Sequence, residues 1–292
     1  MSSINGVLLV DKPIGPTSHD IVAVARRALG ERRIGHTGTL DPFASGLLVL
    51  CLGPSTRLAE YLTGLPKSYS ATLTLGRATD TDDLEGETVS TSEEWRAVTL
   101  DRLEAAFAPR RGEIQQVPPR YSAKKVDGRR MYEVARAGGE TTAKPFTVTV
   151  TRLEVTRFEP PSVEFEVDCS TGTYIRAIAR DVGESLGVGA HLTRLRRTRV
   201  GRYGVGDAIM PEILADSDAV AAALLSPAEA VADLPRVELD AVEAEVVKHG
   251  GSVIARPELP AASPLALLSA EGALLAIGER REDRIQPRKV FA

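Results

Sequence analysis

A glycine-rich loop that leads into an uninterrupted apolar run most constrains how this chain folds. The loop spans residues 35–46, contains three glycines, and is followed directly by the apolar run Leu47–Cys51. Such a short apolar run predicts a buried strand. Glycine adopts positive φ and lets a ligand approach the backbone, while Pro42 fixes its own φ and pushes Asp41 towards extended geometry. The sequence therefore predicts a well-held polar loop, carrying His36 and Asp41, on a buried strand.

Periodic patterns along the rest of the chain predict an α+β fold. Strands are expected over Gly6–Val10, Tyr69–Leu75, Phe146–Val150, Val163–Val167 and Leu274–Gly278. Helices are expected from a cap at Thr17 or Ser18 to Gly30, and over Leu100–Phe107, Tyr174–Leu186, Asp218–Leu225 and Asp240–Lys248. The alternation of polar and apolar residues in the strands favours a largely antiparallel sheet flanked by helices, not a doubly wound one.

Length and composition indicate two globular domains. The chain has 292 residues, of which 43% are hydrophobic and 26% charged, which is ordinary for a protein with a real core and excludes disordered or fibrous classes. After Leu214 the sequence becomes rich in alanine and leucine and acidic, and the last forty or so residues contain short strand-like pieces. We therefore predict a main domain over residues 1–214 and a small, β-rich C-terminal domain over residues 215–292.

Charge is unevenly distributed, which bears on nucleic-acid binding. The net charge is −4, yet residues 110–144 contain nine Lys/Arg against four Asp/Glu, and residues 172–202 contain seven Arg against two acids. Residues 80–104 and 212–245 supply most of the negative charge. Because a nucleic acid responds to local charge, the overall sign does not exclude RNA as a partner. A basic run alone is more often a solvated surface, so specific motifs are needed to indicate RNA binding.

Cofactors, metals and membranes find no support in the sequence. The two cysteines, Cys51 and Cys169, lie in apolar, strand-like runs, which predicts buried free thiols and neither a disulfide nor a zinc site. The acidic run Asp80–Asp83 is not a calcium loop, because Leu84 and Glu85 stand where a ligand and a glycine are needed. The N-terminus has no basic leader or long apolar run, so we expect a cytoplasmic protein with no membrane contact.

Several segments together resemble one family. The loop Gly35–Gly46 is similar to the active-site segment of the TruB family of tRNA pseudouridine synthases, and Ser170–Arg176 and Gln116–Arg136 match the same family in the same order. The resemblance covers most of the first ~200 residues. It implies a pseudouridine-synthase-type mixed sheet, a PUA-like C-terminal domain, an RNA-gripping insertion at about 110–144, and a monomer that acts without cofactor on the T-loop uridine, conventionally numbered 55, in the tRNA T-arm.

The resemblance also implies roles for individual residues. Asp41 is the expected catalytic carboxylate; it either attacks the sugar or the base as a nucleophile or removes a sugar proton, and the sequence does not choose among these routes. Arg176 is expected to pair with Asp41, since a guanidinium holds a carboxylate in one orientation. Tyr69 is expected to stack on the target base. Tyr174 and Leu195 are expected to line the uridine pocket.

The remaining residues in this comparison are expected to contact RNA. His36 is expected to help hold the flipped nucleotide and not to act as the general base, although a lone loop histidine is more often structural. The other histidines have weaker claims. The arginines that flank Leu195, at 194, 196 and 197, are expected to meet phosphates.

Two rival functions remain open at this stage. The first is a non-catalytic RNA-binding or tRNA-folding protein, in which Asp41→Asn would keep the biological activity. The second, a small-molecule glycosidase or phosphate-loop enzyme, is disfavoured because the sequence shows neither a second well-placed carboxylate nor a Walker-type lysine motif.

Overall fold

The structure is a computed structural model, and it describes residues 4–121, 125–126, 129–130, 144–256, 259–260 and 263–291. Within these residues the strands are β1 (Gly6–Lys12), β2 (Ile34–His36), β3 (Ser45–Leu52), β4 (Lys67–Leu75), β5 (Arg77–Thr79), β6 (Thr88–Thr91), β7 (Gly112–Gln116), β8 (Lys125–Val126), β9 (Arg129–Arg130), β10 (Phe146–Glu159), β11 (Ser162–Cys169), β12 (Ala190–Val200), β13 (Tyr203–Gly204), β14 (Arg236–Glu238), β15 (Val253–Ile254), β16 (Pro264–Leu268), β17 (Leu274–Arg281) and β18 (Arg284–Val290). The helices are α1 (Ser18–Leu29), α2 (Ala59–Thr63), α3 (Leu100–Phe107), α4 (Ile175–Leu186), α5 (Ser217–Ala223), α6 (Pro227–Ala230) and α7 (Ala241–Lys248).

A mixed sheet forms the centre of the molecule. Its strands follow the order β1-β3-β12-β4-β11-β10-β7, with β2 beside β3 and β13 beside β12. These strands pair antiparallel, except for β3 and β12, which run parallel with Arg197 opposite Gly46. The predicted α+β fold with a largely antiparallel sheet is therefore confirmed. The parallel contact matters for function, because it brings the start of β3, and with it the glycine-rich loop, against β12.

The strands β1 and β3 are buried on both faces, as the apolar run predicted for β3. One face packs against α1, with Leu8 and Leu48 in a cluster with Ile21. The other face, which includes Leu9 and Leu47, belongs to a cluster shared with strands β16 and β17 of the C-terminal sheet. A strand that is covered on both sides has no wet face, so its sequence does not alternate.

The strands β4 and β11 do alternate, because helices cover only one of their faces. Their buried side packs under α3 and α4, where Phe107 and Phe165 meet edge to face with ring centres 5.4 Å apart. Burial of a side chain such as Phe107 or Leu103 stabilises the fold by about 1.5–3 kcal/mol. This packing fixes α4 over the sheet, and the first turn of α4 carries Arg176.

The five predicted helices begin and end within two residues of the predicted positions, whereas the short helices α2 and α6 were not predicted. At the start of α1 the Thr17 hydroxyl accepts the N–H of Asp20, and the Asp20 carboxylate accepts the N–H of Thr17 at 2.8 Å. Gly30 ends this helix in the left-handed conformation. Both features are the local signals that the sequence offered.

The C-terminal part of the chain forms a second sheet, in the order β14-β16-β17-β18-β15, covered by α7. The β-rich C-terminal domain expected from the sequence is thus confirmed. Residues 205–234 connect the two sheets in sequence. Within this segment, Leu225 exchanges backbone hydrogen bonds with Val7 of β1 at 2.9 Å. The domain boundary after residue 214 stays a prediction.

Other expectations concern cysteines, membranes and metals. Cys51 and Cys169 are buried free thiols, as predicted. In the described part of the chain, no helix has the length and apolar character needed to cross a membrane. The described residues also include no cluster of three or more His, Cys, Asp or Glu side chains arranged to hold a metal ion.

Candidate active site

The glycine-rich loop is anchored at both ends. It leaves β2 at His36 and enters β3 at Ser45. Between these strands the buried Ser18 hydroxyl donates to the carbonyl of Leu40 at 3.1 Å and accepts the N–H of Leu40 at 2.8 Å. The carbonyl of Pro42 accepts the N–H of Gly15 at 2.9 Å. Asp41 therefore lies between two residues whose backbones are held by α1 and the loop before it.

Gly46 permits the close contact between this loop and β12. Its φ of 104° lies in a region that favours glycine. A Cβ atom added there would clash with the backbone carbonyl oxygen of Arg197, to which Gly46 is paired. Of the three glycines that punctuate the loop, Gly46 is thus the one that both its backbone angle and its packing require.

Asp41 forms an ion pair with Arg176 from the first turn of α4. The Arg176 Nε lies 3.1 Å from one carboxylate oxygen of Asp41, and its Nη2 lies 3.5 Å from the other. The two residues are 135 positions apart in sequence. The Asp41 side chain remains 36% exposed, whereas that of Arg176 is 7% exposed. The guanidinium is therefore part of the wall, and one side of the carboxylate is open to the cavity.

Arg176 is itself fixed by three further acceptors. Its Nη1 donates to the buried Asp83 carboxylate at 3.0 Å and to the carbonyl of Thr81 at 2.9 Å, and its Nη2 donates to the carbonyl of Tyr121 at 2.9 Å. One turn further along α4, Arg180 pairs with Asp82 at 3.1 Å. The acidic loop 80–83 therefore locks the arginine that orients Asp41.

Sequence reasoning missed this acidic loop as part of the site. It considered Asp80–Asp83 only as a calcium loop. The signal available was the pairing of two neighbouring acids, Asp82 and Asp83, with two arginines spaced four apart on a helix, which places both arginines on one face. The structure assigns the acids to Arg176 and Arg180.

Two opposing effects act on the pKa of Asp41, namely burial of its carboxyl and the charge of Arg176. Burial raises the pKa of the Asp41 carboxyl above its ordinary value, the Arg176 guanidinium lowers that pKa, and the nearby Asp83 raises it. Without Arg176, the protonated form of Asp41 would be favoured further. The ion pair with Arg176 thus offsets part of the cost of burying a charged carboxylate in a partly enclosed site.

A cavity of about 250 Å³ opens beside Asp41. The expected pocket residues Tyr69, Tyr174, Arg176 and Leu195 all line it together with Asp41. Tyr69 and Leu195 lie on the adjacent strands β4 and β12 and form the sheet side of the cavity. The N–H and carbonyl of Tyr174 bond the Gln116 side chain at 2.8 and 2.9 Å, which ties the start of α4 to β7. Five of the six expected site residues therefore share one cavity.

His36 is the expected site residue that does not line this cavity; the neighbouring Thr37 does. The Nδ1 of His36 accepts the N–H of Gly38 at 3.3 Å, and its ring meets that of His19 edge-on with centres 5.5 Å apart. Burial, and then repulsion from His19, lower the pKa of His36 to about 4. His36 is therefore neutral at pH 7 and stands beside the cavity.

The expectation that the arginines flanking Leu195 meet phosphates is wrong for Arg197. This side chain is 2% exposed and donates to the carbonyls of Leu47 at 2.7 Å and Gly38 at 3.0 Å. Its neighbour Arg196 pairs with Asp11 at 2.6 Å. Alternation along β12 explains the difference, because residues two apart face the same side and Arg197 follows the buried Leu195.

Two buried lysines also escaped the sequence analysis. Lys12, which is 0% exposed, donates to the carbonyls of Pro13 and Pro16, and Lys67, which is 6% exposed, lines the cavity. Burial lowers the pKa of each to about 8. The RNA-gripping insertion expected at about 110–144 includes β7, β8 and β9, while its residues 122–124, 127–128 and 131–143 lie outside the described residues.

Comparison with known proteins points to one family. The model "TruB family pseudouridylate synthase (N terminal domain)" matches residues 26–175, and "tRNA pseudouridylate synthase B C-terminal domain" matches residues 176–233. The chain is 45% identical to tRNA pseudouridine synthase B of Aromatoleum aromaticum over 278 residues, which is 94% of this chain and 89% of that protein. It is 43% identical to tRNA pseudouridine synthase B of an Arthrobacter species over 301 residues, with 99% and 97% covered.

Two solved structures contain chains with a similar fold. A Cbf5-Nop10-Gar1 complex contains a chain that matches with a TM-score of 0.76 and 28% identity, over 98% of this chain and 85% of that one. A chain in an H/ACA RNP bound to a substrate RNA containing 2′-deoxyuridine matches with a TM-score of 0.74 and 26% identity, over the same shares.

Proposed function

The chain belongs to the TruB family and is a tRNA pseudouridine synthase, an isomerase that converts uridine in tRNA to pseudouridine; from this premise we propose that it acts on the T-loop uridine conventionally numbered 55, with Asp41 as the catalytic carboxylate. The observation that carries the proposal is the cavity in which Asp41, oriented by Arg176, faces Tyr69 and Leu195. This arrangement supplies a fixed carboxylate beside an aromatic platform.

The reaction exchanges one bond for another at the target nucleotide. The bond between C1′ and N1 breaks, the base turns, and a bond forms between C1′ and C5, after which the C5 proton leaves and N1 gains a proton. Asp41 balances the first step either by bonding to the sugar or the base or by accepting a sugar proton. Arg176 favours the ionised form of Asp41 and orients its carboxylate, because the position of Arg176 is itself fixed by Asp83.

The target base has to leave the RNA stack to reach this cavity. We propose that Tyr69 stacks on the flipped base, that Tyr174 and Leu195 close the sides of the pocket, and that His36 contacts the RNA at the rim. The neutral state of His36 fits contact through hydrogen bonding and stacking better than proton transfer at pH 7. No group in this scheme needs a cofactor. The monomeric state and the cytoplasmic location stay predictions.

The proposal is tested by mapping pseudouridine in a tRNA transcript after incubation with the enzyme. Wild type should modify the T-loop uridine of the unmodified transcript, and a transcript with cytidine at that position should remain unmodified. Asp41→Asn should bind the transcript with near-normal affinity and form no pseudouridine. Modification at another position would overturn the target assignment, and full activity of Asp41→Asn would overturn the role of Asp41.

A further inference from the structure

Two buried cations stand together in the wall of the same cavity. Lys67 on β4 is 6% exposed and Arg197 on β12 is 2% exposed, and both line the cavity with Asp41. They pack under Gly38: a Cβ atom placed on that glycine would lie 3.5 Å from Nη1 of Arg197 and 3.6 Å from Cε of Lys67. The two side chains therefore lie side by side, where their like charges repel each other.

Neither cation has a carboxylate partner among the residues that the structure describes. Lys67 donates to the carbonyls of Thr63 and Leu65 at 2.9 and 2.7 Å, with a longer contact of 3.4 Å to the Thr171 hydroxyl. Arg197 donates to the backbone carbonyls of Leu47, Thr39 and Gly38, and its side chain also contacts that of Tyr69. Arg176, in contrast, is shared by two carboxylates. Burial of charge without an opposite charge is costly, so this pair is set up to receive a negative charge.

The sheet register decides which part of the substrate reaches the pair. Arg197 lies directly opposite Tyr69, and Leu195 is two residues before it, so the three side chains share one face. Lys67 is two residues before Tyr69 on the same face of β4. A base held by Tyr69 and Leu195 therefore lies against the cations.

On this basis, and resting on the function proposed above, we propose that Lys67 and Arg197 form an anion subsite that stabilises the uracil ring while it is detached from the sugar. When the bond between C1′ and N1 breaks, its electron pair leaves with the base, and the negative charge is delocalised over the ring nitrogens and the carbonyl oxygens. Fixed cations in a water-poor site stabilise such a charge as it develops, because they need no reorganisation. The pair then acts on the leaving group, whichever of the routes open to Asp41 breaks the bond.

The test compares leaving groups under single-turnover conditions with excess enzyme. Lys67→Met removes the charge, and Lys67→Arg keeps it. Removal of one such stabilising donor typically slows the reaction ~10²-fold, which is the loss expected for Lys67→Met on a uridine transcript. A transcript with 5-fluorouridine at the target gives a better leaving group, since fluorine stabilises the ring anion. On that transcript the loss should shrink by about tenfold, and Lys67→Arg should recover most of the rate on both. The readout is the rearranged nucleoside after nuclease digestion.

Lys12→Met is the matched control, because Lys12 is also a buried lysine that holds loop carbonyls but does not line the cavity. It should slow both transcripts by the same factor. An equal loss on both transcripts for Lys67→Met would reduce Lys67 to a structural brace and overturn the proposal. Should Lys67→Met fail to fold, Lys67→Gln, which keeps a donor for the Thr63 carbonyl, serves in its place.

A second arm separates the base from the phosphates. A T-arm RNA with a neutral methylphosphonate on either side of the target should lose the same affinity with wild type and with Lys67→Met. If the replacement weakens wild type but not the variant, the subsite binds a phosphate and the uracil assignment is wrong. Should wild type form no pseudouridine at all, the function proposed above fails, which is distinct from any result with the Lys67 variants.

Discussion

Loss of Arg176 should destabilise the protein mainly through the carboxylate it leaves behind in the core. Asp83 is 3% exposed, and its contact with Arg176 is 3.0 Å long. Breaking a buried pair by removing one partner costs about 3–5 kcal/mol, because the other charge stays buried. Arg176→Met should therefore lower the free energy of unfolding by about that amount.

Asp83→Asn should relieve that cost in the same background. Alone, Asp83→Asn leaves Arg176 with Asp41 and two carbonyls, so a loss of about 1–3 kcal/mol is expected. Combined with Arg176→Met, the neutral amide removes the unpaired charge, and the double variant should be at least as stable as Arg176→Met alone. The expected coupling energy is then about the loss caused by Asp83→Asn alone, about 1–3 kcal/mol.

The assay is urea unfolding of the four proteins at neutral pH, evaluated as a double-mutant cycle. The exposed pair Arg157 and Glu159, at 2.8 Å, is the control and should couple by less than ~1 kcal/mol. Additive losses for Arg176 and Asp83, or a coupling no larger than that of the surface pair, would refute the reasoning that the acidic loop holds the arginine of the site.

Three further predictions follow from single residues. Gly46→Ala should cost more than Gly112→Ala, because both have positive φ but only at Gly46 would the new Cβ clash with the β12 backbone; the φ strain common to both is on the order of 1–3 kcal/mol. The pKa of His36 is lowered to about 4, so the unfolded chain binds more protons than the folded chain between about pH 6.5 and 4. The free energy of unfolding should therefore decrease as the pH is lowered through that window. His36→Gln should remove up to about 3 kcal/mol of this dependence in unfolding titrations. Burial raises the pKa of Cys51 to about 12 and of Cys169 to about 11, so neither thiol should react with iodoacetamide at pH 8 until the protein unfolds.

Each of these has a contrary outcome. Equal losses for the two glycine variants would mean that the loop tolerates separation from β12. An unchanged pH dependence in His36→Gln would mean that the imidazole does not resist protonation in the folded state. Rapid alkylation of the native protein would show that β3 or β11, which carry the two cysteines, becomes exposed in solution.

Among the described residues, local signals in the sequence predicted five of the seven helices and six of the eighteen strands, but not the central strand β12. The capping residues of α1 and the alternation in β4 and β11 depend on neighbours close in sequence, and they gave the correct elements. The apolar run of β3 gave the correct burial, since five apolar residues in a row need cover on both faces. Residues 122–124, 127–128 and 131–143, which the insertion would include, lie outside the described residues.

Contacts between residues far apart in sequence account for the parts of the site that were not predicted. The resemblance proposed the partnership of Asp41 with Arg176, which are 135 residues apart. The contributions of Asp83, Lys67 and Arg197 depend on the register of β4 and β12 and on how α4 lies over the sheet, which periodicity cannot supply. Arg197 is the clearest example. A charged arginine is expected on the surface, but its position on the buried face of β12 leaves it 2% exposed.

The most direct measurement of the central claim is release of tritium from a tRNA transcript labelled at C5 of uridine. Isomerisation expels that hydrogen, so release reports the reaction itself and not RNA binding. The account predicts release by wild type from a transcript with an intact T-loop uridine, and none by Asp41→Asn, which should still bind the transcript. Release by Asp41→Asn at the wild-type rate, or tight binding by wild type without release, would contradict the assignment of Asp41 as the catalytic carboxylate.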